Sequence, residues 1–147
     1  MKEQSNLPTV LVVDDEPSVL ESFTVIFEGR FNVLTAARGD EALNLIVNKS
    51  INVVFLDIAL PDSDGLQVLK AIKEIDANIP VIIVTASDSA RKAVQALQWG
   101  AGDYIIKPFD VGDIISAADK ALAQRCLSGE GVSVCAVREK CLFENMI

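Results

Sequence analysis

Short apolar runs alternate with segments of helical periodicity along most of the chain. Val10-Leu11-Val12-Val13, Val53-Val54-Phe55-Leu56 and Val81-Ile82-Ile83-Val84 are nearly continuous and rich in β-branched residues. Runs of that kind predict parallel strands buried on both faces. Tyr104-Ile105-Ile106 is a fourth run, and Phe31 to Ala36 a weaker one. Between them, Pro17 suits a first helical turn, and Val19, Leu20, Phe23, Ile26 and Phe27 recur at helical spacing before a capping Gly29. Helices are also predicted over Asp40 to Asn48, Gly65 to Ile75, Asp88 to Trp99 with Gly100 as cap, and Val111 to Arg125.

Strand and helix thus alternate five times. Such alternation implies an α/β fold, a doubly wound five-stranded parallel sheet with five helices on its two faces. The expected strand order is 2-1-3-4-5, which periodicity alone does not establish. Ligands of such sheets bind beyond the carboxyl ends of the strands. The domain is expected to occupy residues 1–125. Ser128-Gly129-Glu130-Gly131 is a breaker, and no sixth unit follows it. Residues 126–147 are therefore expected to be a linker or extension, in a chain cut from a longer protein.

Composition narrows the chemistry. The 147 residues suffice for one domain. A net charge of −8 argues against direct nucleic-acid binding and favours a cation or a basic partner surface. Without histidine there is no imidazole ligand, His-based triad or phosphohistidine on this chain. Cys126, Cys135 and Cys141 lack metal-site spacing and are expected to be reduced thiols of a cytoplasmic protein. No apolar stretch is long enough for a membrane span, and the polar start is not that of a signal peptide.

The strand ends carry the candidate site. The first strand runs into Asp14-Asp15-Glu16, the third into Asp57, the fourth into Thr85-Ala86 and the fifth into Lys107-Pro108. Each has an ordinary alternative: a helix start for Asp15, a solvated loop acid for Asp57, an edge threonine, a surface lysine. Together they would have to fall at one sheet edge by coincidence. Clustered carboxylates without histidine or arginine suit a hard divalent cation, and Mg²⁺ takes such oxygen ligands. Mg²⁺ and an ammonium beside a carboxylate nucleophile suit phosphoryl transfer.

The set Asp14-Asp15, Asp57, Thr85 and Lys107-Pro108 resembles the receiver domain of two-component response regulators, a flavodoxin-like fold. The likeness extends through Asp57-Ile-Ala-Leu-Pro61-Asp-Ser-Asp-Gly65 and Gly100 to Phe109, and covers roughly residues 7 to 125. It implies that Asp57 accepts a phosphoryl group from a sensor histidine kinase or phosphotransfer protein. Asp14, Asp15, Asp57 and the Ala59 carbonyl would hold Mg²⁺. Lys107 would pair with Asp57 and then with the phosphoryl group. Thr85 would turn toward that group, with Tyr104 as the aromatic switch, and the Lys107–Pro108 bond would be cis. Ala59 and Ser87 are too short to position an attacking water, so the lifetime of the phosphorylated state stays open.

The resemblance further implies a kinase docking near Pro17, Ser18 and Glu21. It implies a face of fourth helix, fifth strand and fifth helix that mediates homodimerisation or effector contact. Arg138 to Ile147 resembles the join to the ATPase domain of sigma-54-dependent transcriptional activators. A stand-alone or degenerate receiver acting by contact is the alternative. Rival classes fit less well. Asp-Asp-Glu would repel a flavin phosphate, Ala59 replaces the second acid of a D-x-D phosphatase, and no P-loop or dinucleotide-binding glycine motif occurs.

Overall fold

The computed structural model describes residues 7–60, 64–86 and 89–127, with side chains through residue 123. The elements in chain order are β1 (Thr9–Val13), α1 (Pro17–Ile26), β2 (Asn32–Ala36), α2 (Gly39–Asn48) and β3 (Val53–Leu56). There follow α3 (Gly65–Ile75), β4 (Val81–Thr85), α4 (Ala90–Gln98), β5 (Asp103–Ile106) and α5 (Val111–Leu127). The sheet is parallel throughout, in the order β2-β1-β3-β4-β5. The predicted α/β architecture and strand order are thus those of the structure.

Burial explains the three continuous runs. β1, β3 and β4 lie inside the sheet, and almost every residue in them is buried. The edge strands β2 and β5 are only partly covered, which is why their apolar runs are weaker.

Alternate residues of each central strand serve opposite faces. Val10, Val12, Phe55, Ile82 and Val84 pack with Phe23 of α1, with Phe27 just past its end, and with Ile114 and Ala118 of α5. Leu11, Val13, Val54, Leu56 and Ile83 pack with Ala42, Ile46, Leu69, Ile72 and Ala96 of α2, α3 and α4. Phe23 and Phe27, four residues apart, both meet the ring of Phe55 at centroid distances of 5.2 and 5.6 Å. The phenylalanines on that side form a linked aromatic group, which Phe109 joins edge-on to Phe23.

Helix ends depart from the expectation in places. α4 begins at Ala90, not Asp88, because the Ser89 hydroxyl accepts the Lys92 N–H at 3.3 Å and so caps the helix. Its last predicted residue, Trp99, sits just outside the helix, and Gly100 follows in the left-handed region at φ +106°. α3 holds that end from the side. Lys70 places its ammonium 5.5 Å from the Trp99 ring centroid, and the Lys73 stem packs where a side chain at residue 100 would stand. α5 runs to Leu127, two residues beyond its predicted end. Ser87, the Ser128 to Gly131 breaker, Cys135, Cys141 and the Arg138 to Ile147 segment lie outside the described residues, as does the side chain of Cys126.

Candidate functional site

β1 and β3 are neighbours, so their carboxyl ends lie side by side. The residues just past them stay in register. The Asp14 N–H donates to the Ala36 carbonyl at 3.0 Å, and the Asp57 N–H to the Val13 carbonyl at 2.9 Å. Both aspartates are thereby held by the sheet and not by a loose loop. They are also buried, at 2% and 5% exposure.

Each buried carboxylate divides its oxygens in the same way. Asp14 Oδ1 accepts the Glu16 N–H at 2.9 Å, and Asp57 Oδ1 accepts the Ala59 N–H at 2.9 Å. The other oxygen of each accepts from Lys107 Nζ, at 2.7 Å for Asp14 and 3.1 Å for Asp57. Lys107 reaches them from the far end of the sheet, because its own N–H is tied to the Thr85 carbonyl at 2.8 Å. The Lys107–Pro108 bond is cis, as expected. The ion pairing is wider than expected: Lys107 lies closer to Asp14 than to Asp57, and Glu16 joins at 3.3 Å.

Asp15 is exposed, but its carboxylate belongs to the group. One oxygen each from Asp14, Asp15 and Asp57 lie within 4.8 Å of one another. Three oxygens at that spacing can converge on one small cation. Asp15 is not the residue that starts α1. That place belongs to Glu16, whose side chain makes no cap bond, and Pro17 occupies the first turn.

Burial raises the Asp14 pKa, and hydrogen bonds from Lys107 and the Glu16 N–H only partly offset it. Burial alone would lower the Lys107 pKa. Its hydrogen bonds with Asp14 and Asp57, and their charges, outweigh burial and hold it well above the ordinary lysine range. The two directions agree physically. One ammonium stays charged among several carboxylates, and the most buried carboxylate keeps a net desolvation penalty.

Thr85 ends β4 and is fully buried. It pairs with Ile106, and Ile83 pairs with Tyr104. In a parallel sheet this register puts residues 85 and 104 on the same face, two positions apart. Tyr104 is half-buried against the core shared with α4. Pro17, Ser18 and Glu21 are exposed on the first turns of α1, directly after the acidic segment.

Two contributors were not visible in the sequence. Glu16 carries no local sign of its contact, since nothing near it in the sequence shows that a lysine 91 positions away reaches it. Gly65 was legible only as part of a motif. Its N–H donates to the Ile58 carbonyl at 3.1 Å, and a Cβ there would overlap the Ile58 backbone. Asp64 caps α3 by accepting the Leu66 N–H at 3.0 Å, and it bridges to Ala59. The start of α3 thus folds back on the loop that follows Asp57.

The domain is thus a doubly wound parallel α/β sheet with two buried aspartates and a lysine gathered at its carboxyl edge. The sequence profile of the response regulator receiver domain matches residues 10–119. This chain belongs to the response regulator receiver family. It is 38% identical over 115 residues to the transcriptional regulatory protein ZraR of Escherichia coli K12, covering 78% of this chain and 26% of that one. It is 38% identical over 124 residues to the response regulator MprA of a Mycobacterium species, covering 83% of this chain and 53% of that one. A crystal structure of a CheY-like receiver domain protein from Methanospirillum hungatei superposes with a TM-score of 0.80 at 31% identity, covering 86% of this chain and 100% of that one. The chain spans about a quarter to a half of the length of these two regulators.

Proposed function

We propose that this domain is a phosphorylation switch with Asp57 as the acceptor. The observation that carries the reading is the placement of Asp57. It is a sheet-anchored carboxylate with one oxygen 3.1 Å from an ammonium, beside two further aspartates. The donor would be a phosphohistidine on a sensor histidine kinase or phosphotransfer protein. A carboxylate oxygen of Asp57 forms a bond to phosphorus while the phosphorus–nitrogen bond of the donor breaks. The electron pair leaves with the imidazole, which then takes up a proton.

Asp14, Asp15 and Asp57 form an all-oxygen donor set that fits Mg²⁺, with the Ala59 carbonyl as a further ligand. When bound, Mg²⁺ neutralises charge on the phosphoryl oxygens. Lys107 supplies a second positive charge, its Nζ lying 3.1 Å from Asp57 Oδ2. The aspartates hold their geometry through the Ala59 and Glu16 N–H groups, so little reorganisation is needed. The domain would turn over no outside substrate beyond its own phosphorylation and dephosphorylation.

Thr85 and Tyr104 would relay the change to α4, because they share one sheet face and Tyr104 touches the core beneath that helix. Val94, Leu97, Ile106 and Val111 are exposed on α4, β5 and α5, where a homodimer or effector contact would form. Residues around Pro17, Ser18 and Glu21 would receive the kinase. The relatives are transcriptional regulators with longer chains, which favours residues 1–125 as a receiver and 126–147 as a link to an effector domain, that of a sigma-54-dependent activator being one such domain.

Intact mass after incubation with acetyl phosphate tests the acceptor. Wild type should gain one phosphoryl group, about 80 Da, with Mg²⁺ and none with chelator. Asp57→Asn should gain none. Uptake by Asp57→Asn equal to wild type would remove Asp57 from this role. Thr85→Ala should still be phosphorylated but should lose the phosphorylation-dependent shift in oligomer size. A shift equal to wild type in sedimentation would sever Thr85 from the output.

A further inference from the structure

The first turn of an α-helix carries backbone N–H groups with no partner inside the helix. In α3 two of them are spent around the loop after Asp57. The Leu66 N–H donates to Asp64 Oδ1 at 3.0 Å, and the Gly65 N–H donates to the Ile58 carbonyl at 3.1 Å. That second bond holds one end of the peptide unit joining Ile58 to Ala59. The other end is the Ala59 N–H, which donates to Asp57 Oδ1 at 2.9 Å. Ala59 and Asp64 face each other as an isolated antiparallel bridge. The bond from Gly65 to Ile58 flanks that pair, so Ala59 and Asp64 do not exchange hydrogen bonds themselves. The Ala59 N–H and carbonyl therefore point away from Asp64, to the side on which Asp57 lies.

Ile58 and Leu60 are buried on either side of the exposed Ala59 and hold the path of the chain. How the Ala59 peptides turn about that path is set by hydrogen bonds. One of these goes to Asp57, the reacting group itself. The other comes from the first turn of α3, and Asp64 is the residue that caps that turn. We propose that Asp64 is a positioning residue of the acceptor site: by capping α3 it keeps the Gly65 N–H on the Ile58 carbonyl and so holds the Ala59 carbonyl ready for Mg²⁺. This rests on the receiver reading above, in which that carbonyl is a Mg²⁺ ligand. A ligand group held by its neighbours binds a metal without first having to be ordered.

Cap and charge can be separated by two substitutions. Asp64→Ala removes both. Asp64→Asn removes the charge and keeps a cap of equal quality. Residue 64 is exposed, so its charge is screened by salt and adds little to the field at the metal site. Both changes leave the core untouched. The worth of one helix cap, expressed as binding, is about threefold to tenfold.

The experiment titrates unphosphorylated wild type, Asp64→Ala and Asp64→Asn with MgCl₂ and follows their amide NMR shifts. In parallel, hydrogen exchange of the Ala59 amide is measured without metal. Asp64→Ala should bind Mg²⁺ about threefold to tenfold more weakly and should exchange its Ala59 amide faster. Asp64→Asn should stay within about twofold of wild type in affinity, with Ala59 exchange unchanged. A cap that served the helix alone would lower the urea midpoint of Asp64→Ala while leaving its Mg²⁺ affinity and Ala59 exchange at wild-type values, and that result would overturn the proposal. So would equal weakening in Asp64→Asn, which would assign the effect to charge. If wild type binds no Mg²⁺, the receiver reading of the metal ligands fails, and this proposal with it. Normal wild-type binding with both variants unchanged defeats only the role of Asp64.

Discussion

Gly65→Ala should cost about 3 kcal/mol of folding stability, a large value for adding one methyl group. A Cβ at residue 65 would overlap Ile58 Cα and stand 2.7 Å from the Ile58 carbonyl carbon and oxygen. These are backbone atoms, so no side-chain rotation relieves the clash. Either α3 moves off the sheet or the segment after β3 moves. The first opens the core at Leu66 and Leu69, and the second displaces Asp57 and Ala59. Phosphoryl uptake should therefore fall together with stability. Gly112→Ala is the control. A Cβ there meets nothing within 4 Å, and the residue lies inside α5. It should stabilise the domain by about 0.5 to 1 kcal/mol through helix propensity. Urea unfolding of both variants checks the pair, and equal small effects would show that the α3 start has room to spare.

Asp14→Asn and Lys107→Met should change stability in opposite directions. Asp14 is buried beside Asp57, and burial raises its pKa despite the Lys107 hydrogen bond. A carboxyl with a raised folded-state pKa binds its proton more tightly in the native protein. The stability it contributes is full below the ordinary aspartate range and is lost as pH rises through the folded pKa. At pH 7 its ionised form is therefore a burden. Asp14→Asn should remove it and gain about 1 kcal/mol. It should also flatten the dependence of stability on pH just above the ordinary aspartate range. Lys107 retains Asp57 and Glu16, so no cation is stranded.

Lys107→Met does the reverse by leaving two buried carboxylates without their cation. It should lose about 2 kcal/mol at pH 7. Acidification should return part of that loss as Asp14 takes up a proton, and millimolar Mg²⁺ should return more. The raised pKa of Lys107 means that its own stabilising contribution is complete below the ordinary lysine range and is lost only in strong alkali. Neutral pH therefore tests the pair with the lysine fully charged. Thermal melts of the three proteins across pH, with Mg²⁺ and with chelator, would expose an error. A destabilised Asp14→Asn would mean that its ion pair outweighs its burial.

The candidate aspartates were legible because their chemistry is local. Asp14 and Asp57 each follow a continuous apolar run, and such a run announces where a buried strand ends. Lys107 and Thr85 were legible for the same reason. Helix starts were less so. The displacement of α4 from Asp88 to Ala90 depends on which polar side chain turns back to the helix N–H groups, and Asp88 and Ser89 are both competent in sequence.

The division between sequence and tertiary structure follows the range of the forces. Periodicity of 2 or 3.6 and the burial of β-branched runs act between near neighbours. The chain alone therefore determined the alternation of strand and helix, the sheet type and the residues delivered to its carboxyl edge. Strand order and register decided the rest. Placing β1 beside β3 brought Asp14 and Asp57 together, and the turn of the chain after β5 carried Lys107 back across to both. Only the folded sheet could show that this lysine lies nearer Asp14 than Asp57, that Glu16 takes its third donor, and that Gly65 lets α3 rest on Ile58. These are contacts between residues far apart in the chain or facing each other across a turn, and local pattern carries no record of them.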